Sequence, residues 1–410
     1  MGAAVFALPH VAAARPTDLA GDWWVFYSAA LVVAHGGNPY HQMVLLAAER
    51  RVMPGVPPPP AAANFAYLPI AAWLLVPLTR LPFWASFAVV AAATTAATVL
   101  AIGALARRLG WRHPVIPAIF AAVIWLAVWG DVLGQPDGWL LLALVGAVLL
   151  RLQGRGLAAG VLLTAAWWKP QLLLPATPLL AASCWPDRRC ATGVITGFVA
   201  GSTCGLVVQL AALPGLLPSW WRYLHVFAVA VPRLQADLAG AVGLLADLPL
   251  GRRPTDVATG VPALVAASIG LLAAAALAAA LARGRARSGR TEPEEVVTAV
   301  CAPLALWLLA TPYDHLEDLL LLVPLVVVLV GRDGGRLARP GTWAVVLLLV
   351  ILPYVETLLD GAANLAPLAV LAVCLAGVRL AWRWLGPADP RAAVGPLPTE
   401  GPAAEPGAAP

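Results

Sequence analysis

Long stretches of Ala, Leu and Val without charge recur along nearly all of this 410-residue chain, and they fix the solvent it can fold in. The run from Phe83 to Ala106 carries no charged side chain. As a helix rising ~1.5 Å per residue it covers a hydrocarbon core ~30 Å thick. Inside a bilayer every backbone N–H and C=O must be paired within the protein, so only helices and closed barrels cross. The apolar stretches are continuous rather than alternating, which selects helices. Only 11% of residues are charged and 61% are hydrophobic, against about 25% charged in soluble domains. The fold class is therefore all-α, a polytopic helical membrane protein, and a water-soluble enzyme is excluded.

The formal charge of +5 comes from arginines in short loops, so it reports orientation in the membrane. No basic patch interleaved with aromatics marks a nucleic-acid surface. The five cysteines (Cys184, Cys190, Cys204, Cys301, Cys374) have no metal-ligand spacing and sit in or beside apolar runs. There Cys acts as a small hydrophobe, and a disulfide framework is not expected. Lys169 is the single lysine.

In chain order, Gly2 to Ala14 is apolar but too short to cross the bilayer, and it lacks the basic start and cleavage site of a signal peptide. The expectation is a truncated first span whose true start lies upstream. Residues 15–64 read as a first outer loop, with an amphipathic interfacial helix over Asp22 to Val33 and a second over Tyr40 to Arg51. Pro54 to Pro60 is a stiff connector. Apolar segments follow at Ala66–Thr79, Phe83–Ala106, Pro114–Trp129, Trp139–Leu150, Leu157–Trp168, Leu172–Cys184 and Ala191–Leu213. A second outer loop, 214–259, holds Trp220, Trp221 and Tyr223. Further segments run Val261–Ala282, Val296–Ala310, Leu319–Val330, Thr342–Pro353 and Ala366–Trp384. That gives about 11–13 spans in one domain, residues 1–386. The Pro/Ala/Gly-rich tail 387–410 reads as disordered and cytoplasmic.

Arginines at 107, 108, 112, 151, 155, 188 and 189, from Arg283 to Arg290, from Arg332 to Arg339, and at 379 and 383 should lie in the cytoplasm. The loops that alternate with them hold most of the acids and amides, which places function on the outer, extracytoplasmic face. One parity conflict follows if the Asp22 loop is also outside. Either Ala66–Thr79 does not cross fully, or the Arg107 loop breaks the positive-inside rule.

Five clusters stand out against this background: Gly21-Asp22 with Asn38-Pro39-Tyr40; Phe65-Ala66-Tyr67-Leu68-Pro69; Gly134-Gln135-Pro136-Asp137; Trp167-Trp168-Lys169-Pro170-Gln171; and Thr311-Pro312-Tyr313-Asp314-His315-Leu316-Glu317-Asp318. Asp22 is either a functional acid or the N-cap of the helix after it. Asn38-Pro39-Tyr40 is a turn, and Tyr67 an interfacial aromatic anchor. Lys169 either snorkels to the interface or faces a cavity or ionic partner, where its compact ammonium suits a phosphate. His315 shares a helix face with Asp318. Nothing at recognisable spacing completes a metal site around it, and no Asp-x-Asp pair is present, so no metal is expected. Nucleophile-elbow, Walker and dinucleotide fingerprints are absent, so no cofactor is expected.

In order and spacing these clusters resemble glycosyltransferase family 87, membrane enzymes of the GT-C fold that include polyprenyl-phosphate-mannose-dependent mannosyltransferases and arabinofuranosyltransferases. The likeness runs from Gly21 to about Pro324, with Tyr67-Leu68-Pro69 standing where many relatives have Tyr-Pro-Pro. It implies a GT-C-like bundle in the plasma membrane. It implies transfer of a sugar, mannose first, from a polyprenyl-phosphate donor to a lipid-linked glycan or cell-envelope acceptor on the outer face. By position Asp22 is the family's catalytic carboxylate, a general base in a one-step inverting transfer. His315, with Lys169 and Gln135, is implied at the leaving phosphate. Tyr67, Asp137 and Asp314 are implied as substrate contacts. Two alternatives stand beside this reading: an arabinofuranosyltransferase of the same fold, and a transporter or flippase for a lipid-linked sugar. The latter calls for inverted repeats, and no internal duplication is evident.

Overall fold

The computed structural model describes residues 20–56, 64–185, 187–230, 261–288, 292–311, 315–331, 344–352 and 366–385. Every regular element among the described residues is helical, with no strand. Among the described residues, three helices are long and apolar enough to cross a membrane: Phe83–Arg108, Arg188–Ala212 and Pro293–Ala310. A fourth crossing is available if Val115–Val123 and Trp125–Leu133, which bend apart at Ile124, form one broken span. Shorter apolar helices fill the space between them. The chain is an all-α membrane protein.

The long helices differ in what surrounds them. Arg188–Ala212 buries only 17% of its most apolar window and Phe83–Arg108 39%, whereas Pro293–Ala310 buries 67%. Val199, Val207 and Leu100 are therefore outward-facing, as a lipid contact requires, and Pro293–Ala310 is central. The main core joins Pro293–Ala310 to Asp137–Leu152, Ala176–Ser183 and the Leu316–Gly331 stretch. Lipid tails are as apolar as leucine, so close packing and internal polar contacts decide which helices meet.

Glycines set the tightest crossing. Gly156–Leu162 lies across Arg188–Ala212 with backbone against backbone. A Cβ added at Gly160 would stand 2.0 Å from the Val194 carbonyl oxygen, and one at Gly197 would stand 2.1 Å from that of Leu157. At the start of the same long helix, Cys184 and Cys190 pair as a disulfide with Cα atoms 5.7 Å apart. That single local pair was not expected from cysteine spacing.

A second, aromatic core surrounds the N-terminal helix Gly21–Ala34. This segment was expected to be an amphipathic interfacial helix. Instead it is buried on nearly every face, because it offers no polar stripe to water: Trp23, Trp24, Phe26, Tyr27, Ala29, Ala30 and Val33 all point into protein. The polar tips of its aromatics are met internally, which makes their burial tolerable. Trp23 Nε1 donates to Ser86 Oγ (3.1 Å), Trp24 Nε1 to the Glu49 carbonyl (2.9 Å) and the Tyr27 hydroxyl to the Leu81 carbonyl (2.8 Å). The next helix, Gln42–Val52, has one buried edge (Leu45, Glu49) and an exposed face with Met43 and Val44.

The segment expected as Ala66–Thr79 is a seven-residue helix, Pro69–Leu75, continued by a five-residue 3-10 turn, Val76–Arg80. At ~1.5–2 Å per residue the two fall well short of the ~30 Å hydrocarbon core. Of the two ways out of the parity conflict, this length favours incomplete crossing. Gly2 to Ala14, expected to be the remainder of a truncated first span, the far part of the second outer loop (231–259) and the tail lie outside the described residues.

Replacing Gly160 with Val should force Gly156–Leu162 and Arg188–Ala212 apart and cost about 1–3 kcal/mol or more. Gly205 lies on the same long helix with nothing within 4 Å of its would-be Cβ, so Gly205→Ala should leave thermal unfolding in detergent unchanged or slightly raised.

Candidate functional site

Asp22 stands in the first turn of Gly21–Ala34, and it does not cap that helix. The N-cap is Ala20, in the left-handed region at φ 61°, with no side-chain cap bond. A non-glycine residue pays for that conformation, and here a specific anchor holds it: Ala20 N–H donates to the Val132 carbonyl at 2.7 Å. The Asp22 carboxylate points instead to Gln135, whose Nε2 donates to Oδ2 at 2.7 Å.

The turn that carries Gln135 is shaped for this approach. Gly134 ends the helix Trp125–Leu133 at φ 80°, and the N–H groups of Gly134 and Gln135 both return to the Gly130 carbonyl. A side chain at Gly134 would meet Trp23 Cβ at 2.5 Å. Glycine is thus required twice, by its φ and by the neighbour. The Gln135 amide also accepts from the Tyr67 hydroxyl at 3.4 Å, so Tyr67, Gln135 and Asp22 form one chain of contacts.

Tyr67 belongs to a strap, Asn64–Tyr67, gripped from several sides. Tyr40 donates to the Tyr67 carbonyl (2.7 Å), Trp220 Nε1 to the Ala66 carbonyl (2.9 Å) and Tyr223 to Asn64 Oδ1 (3.1 Å). The ring of Tyr67 lies 4.6 Å from that of Phe26, one helical turn beyond Asp22. Asn38-Pro39-Tyr40 is the turn expected: Asn38 Oδ1 accepts from Tyr40 N–H, and its Nδ2 donates to Ser219.

Two residues past Gln135 the chain enters a buried ionic cluster. Lys169 Nζ donates to Asp318 Oδ1 (2.6 Å) and to Asp137 Oδ1 and Oδ2 (3.0 and 3.3 Å), with Glu317 Oε1 at 3.9 Å. None of the four side chains is more than 4% exposed. Each comes from a break in regular structure: Asp137 begins Asp137–Leu152, Lys169 sits at a bend before Pro170, and Glu317 and Asp318 open the 3-10 turn Leu316–Leu322. One ammonium faces three carboxyl groups, and an uncompensated buried charge is costly, so the cluster must retain a proton. Burial raises Asp137 well above the ordinary carboxylate range despite Lys169, and Glu317 is raised with it. Burial, then Asp318 and Asp22, push the Glu317 carboxyl up to about 8 against the pull of Lys169. Asp318 is the opposite case: burial raises it, but Lys169 and His315 overcome that and hold it below the ordinary carboxylate range. For Asp22 burial wins over Gln135, Lys169 and His315, and its carboxyl is raised.

His315 stands at the head of this 3-10 turn in a reciprocal cap. Its backbone N–H donates to Asp318 Oδ2 at 2.7 Å, and the Asp318 N–H returns to the His315 carbonyl at 3.1 Å. Asp137, Glu317 and Asp318 also bring one oxygen each within 4.8 Å of one another, a set of hard ligands of the kind that holds a divalent cation. Here the Lys169 ammonium lies among those oxygens and supplies the positive charge.

The sequence-derived candidates thus fall into two touching groups. Asp22, Gln135 and Tyr67 are in contact, as are Lys169 and Asp137, and His315 joins the second group through Asp318. Asp314 lies outside the described residues. Glu317 and Asp318 were not assigned a role from sequence. The signal was present, since two acids opening an apolar run need a cation, and the chain has a single lysine.

Removing the ammonium with Lys169→Met should cost roughly 3–5 kcal/mol of stability, because it strands buried carboxylates. Glu317 supplies a pH test. A carboxyl raised in the folded state contributes stability fully below its ordinary value near 4.5, and this is lost as pH climbs through about 8. The difference in melting temperature between wild type and Glu317→Gln, followed from pH 4.5 to 8.5, should therefore shift steadily in favour of the variant.

The profile of glycosyltransferase family 87 matches residues 65–312, a span that contains Tyr67, Gln135, Asp137 and Lys169 and stops short of Asp22 and His315 at either end. No curated protein and no solved structure matches the chain. With well over half of its length inside that match, and with apolar helices long enough to cross a bilayer, the chain is a membrane glycosyltransferase and belongs to glycosyltransferase family 87.

Proposed function

We propose that the protein transfers a sugar, mannose first, from a polyprenyl-phosphate donor to a lipid-linked glycan or cell-envelope acceptor at the extracytoplasmic face of the plasma membrane. The observation that carries this reading is the Asp22–Gln135 contact. It fixes Oδ2 of a carboxylate that is not capping its helix, and it leaves Oδ1 as the proton acceptor. The acceptor hydroxyl oxygen attacks the anomeric carbon, its proton passes to Asp22, and the bond from that carbon to the phosphate oxygen breaks from the opposite side. One displacement gives inversion, with polyprenyl phosphate as the leaving group. The raised carboxyl of Asp22 suits the task, since a general base works best with a pKa nearer the working pH.

Phosphate charge develops as the donor departs and needs donors prepared in advance. His315 is proposed as the direct contact. Gln135 has a second amide hydrogen beyond the one given to Asp22. Lys169 acts by its charge and by what it holds in place, since carboxylates already surround its ammonium. Tyr67, Asp137 and Asp314 are proposed on the substrate side. The architecture proposed around them is one membrane domain over 1–386 of about 11–13 spans, with outer segments at 15–64 and 214–259.

Asp22→Asn and Asp22→Ala should lower sugar transfer from polyprenyl-phosphate mannose into extractable lipid by about 10²–10⁴-fold, with folding and donor binding retained. Activity near wild type in either variant removes the acid from the mechanism.

A further inference from the structure

Among the described residues, the indole N–H of Trp168 has no partner. The indoles of Trp23, Trp24, Trp139, Trp167, Trp220 and Trp307 each donate to a protein oxygen. Trp168 Nε1 is closed off from solvent and donates to nothing, which costs it the hydrogen bond it would make to water. Trp111 Nε1 is also unpaired, but it lies against Gly331, just beyond the arginine-bearing end of Phe83–Arg108. Trp168 stands inside the candidate site. It directly precedes Lys169, and its ring packs against both hydrophobic cores. The ring centroid lies 6.2 Å from that of Phe26, which is four residues past Asp22 and so on the same helix face. Phe26 in turn meets Tyr67, whose hydroxyl reaches the amide that holds Asp22.

We infer that Trp168 is a sugar-binding residue: its N–H donates to a hydroxyl oxygen of the sugar being transferred, with the Phe26 and Tyr67 rings against that sugar's C–H face. This rests on the reading of the protein as a transferase that uses a polyprenyl-phosphate sugar. An indole N–H can only donate, so its partner must be an acceptor oxygen. A phosphate calls for charged or multiple donors, whereas a single neutral N–H among aromatic walls is matched to a hydroxyl. Trp168 is only partly buried, so a small shift of its ring opens that edge to the incoming sugar.

The test uses the full-length protein in nanodiscs, with polyprenyl-phosphate mannose and bare polyprenyl phosphate as probes. Trp168→Phe keeps an aromatic ring and removes the N–H. It should weaken binding of the mannose-bearing lipid about tenfold, the worth of one hydrogen bond, and leave binding of the bare phosphate unchanged. The KM for the mannose-bearing lipid should rise by a similar factor, with a smaller change in kcat. Without ligand, Trp168→Phe should lower the melting temperature less than Trp307→Phe, which breaks a bond to the Gln171 carbonyl. Unchanged affinity for the mannose-bearing lipid overturns the inference. So does an equal loss for both lipids, which points to phosphate, or a melting temperature that falls as far as in Trp307→Phe. If the variant does not fold, the ¹⁵N-indole spectrum of the wild type decides. One indole N–H should move on adding polyprenyl-phosphate mannose and stay in place on adding polyprenyl phosphate, and a spectrum in which none moves overturns the inference. The reading beneath it fails separately, in the wild type alone: equal binding of the two lipids removes the sugar donor, and the sugar contact with it.

Discussion

A single buried ammonium brings together parts of the chain that are far apart in sequence. Lys169 reaches Asp137 at the head of one helix and Asp318, with Glu317 nearby, at the head of a 3-10 turn some 150 residues later. Stripping such charges of water costs several kcal/mol per ion, so none of the partners can leave without stranding the rest. In a protein embedded in lipid this matters more than in water. Apolar faces gain little by choosing protein over lipid tails, and polar contacts therefore decide which segments meet. The cluster selects one arrangement of otherwise interchangeable greasy helices.

From that anchor the site extends in both directions through short covalent links. Asp137 is two residues from Gln135, so the turn that feeds the cluster also aims an amide at Asp22. Asp318 is three residues from His315 and closes a cap on it. The three carboxyls and Asp22 crowd more negative charge into the region than Lys169 can balance, and burial answers by raising the Asp137 and Glu317 carboxyls toward their protonated forms. What results is a region where charge is already arranged before any substrate enters, as the proposed transfer requires.

The aromatic layer around Gly21–Ala34 does a different job. Phe26, Phe65, Tyr67 and Trp168 lie ring against ring within about 4.6 to 6.2 Å, and the strap Asn64–Tyr67 is pinned by three aromatic hydroxyl or indole donors. This packing explains why a helix expected at the interface is buried. A segment with apolar side chains on all sides gains nothing from a water boundary, and the glycine turn at 134 lets Trp23 settle directly on the backbone.

The chain's order of apolar runs and charges was enough to determine a helical membrane protein, the turn at Asn38-Pro39-Tyr40, and the residue types around which a site is built. It also flagged Asp22, Gln135, Lys169 and His315, because polar residues are costly in such surroundings and stand out. Pairing was beyond it. That Lys169 is shared by Asp137 and Asp318, that Gln135 belongs to Asp22, and that Gly21–Ala34 is buried on nearly every face all depend on contacts across 32 to 149 residues, or on the filling of every side of one helix. Local pattern carries the period and the polarity of a segment. Which distant partner satisfies a buried charge is decided only when the helices pack, since the energy that picks it exists only in the assembled interior.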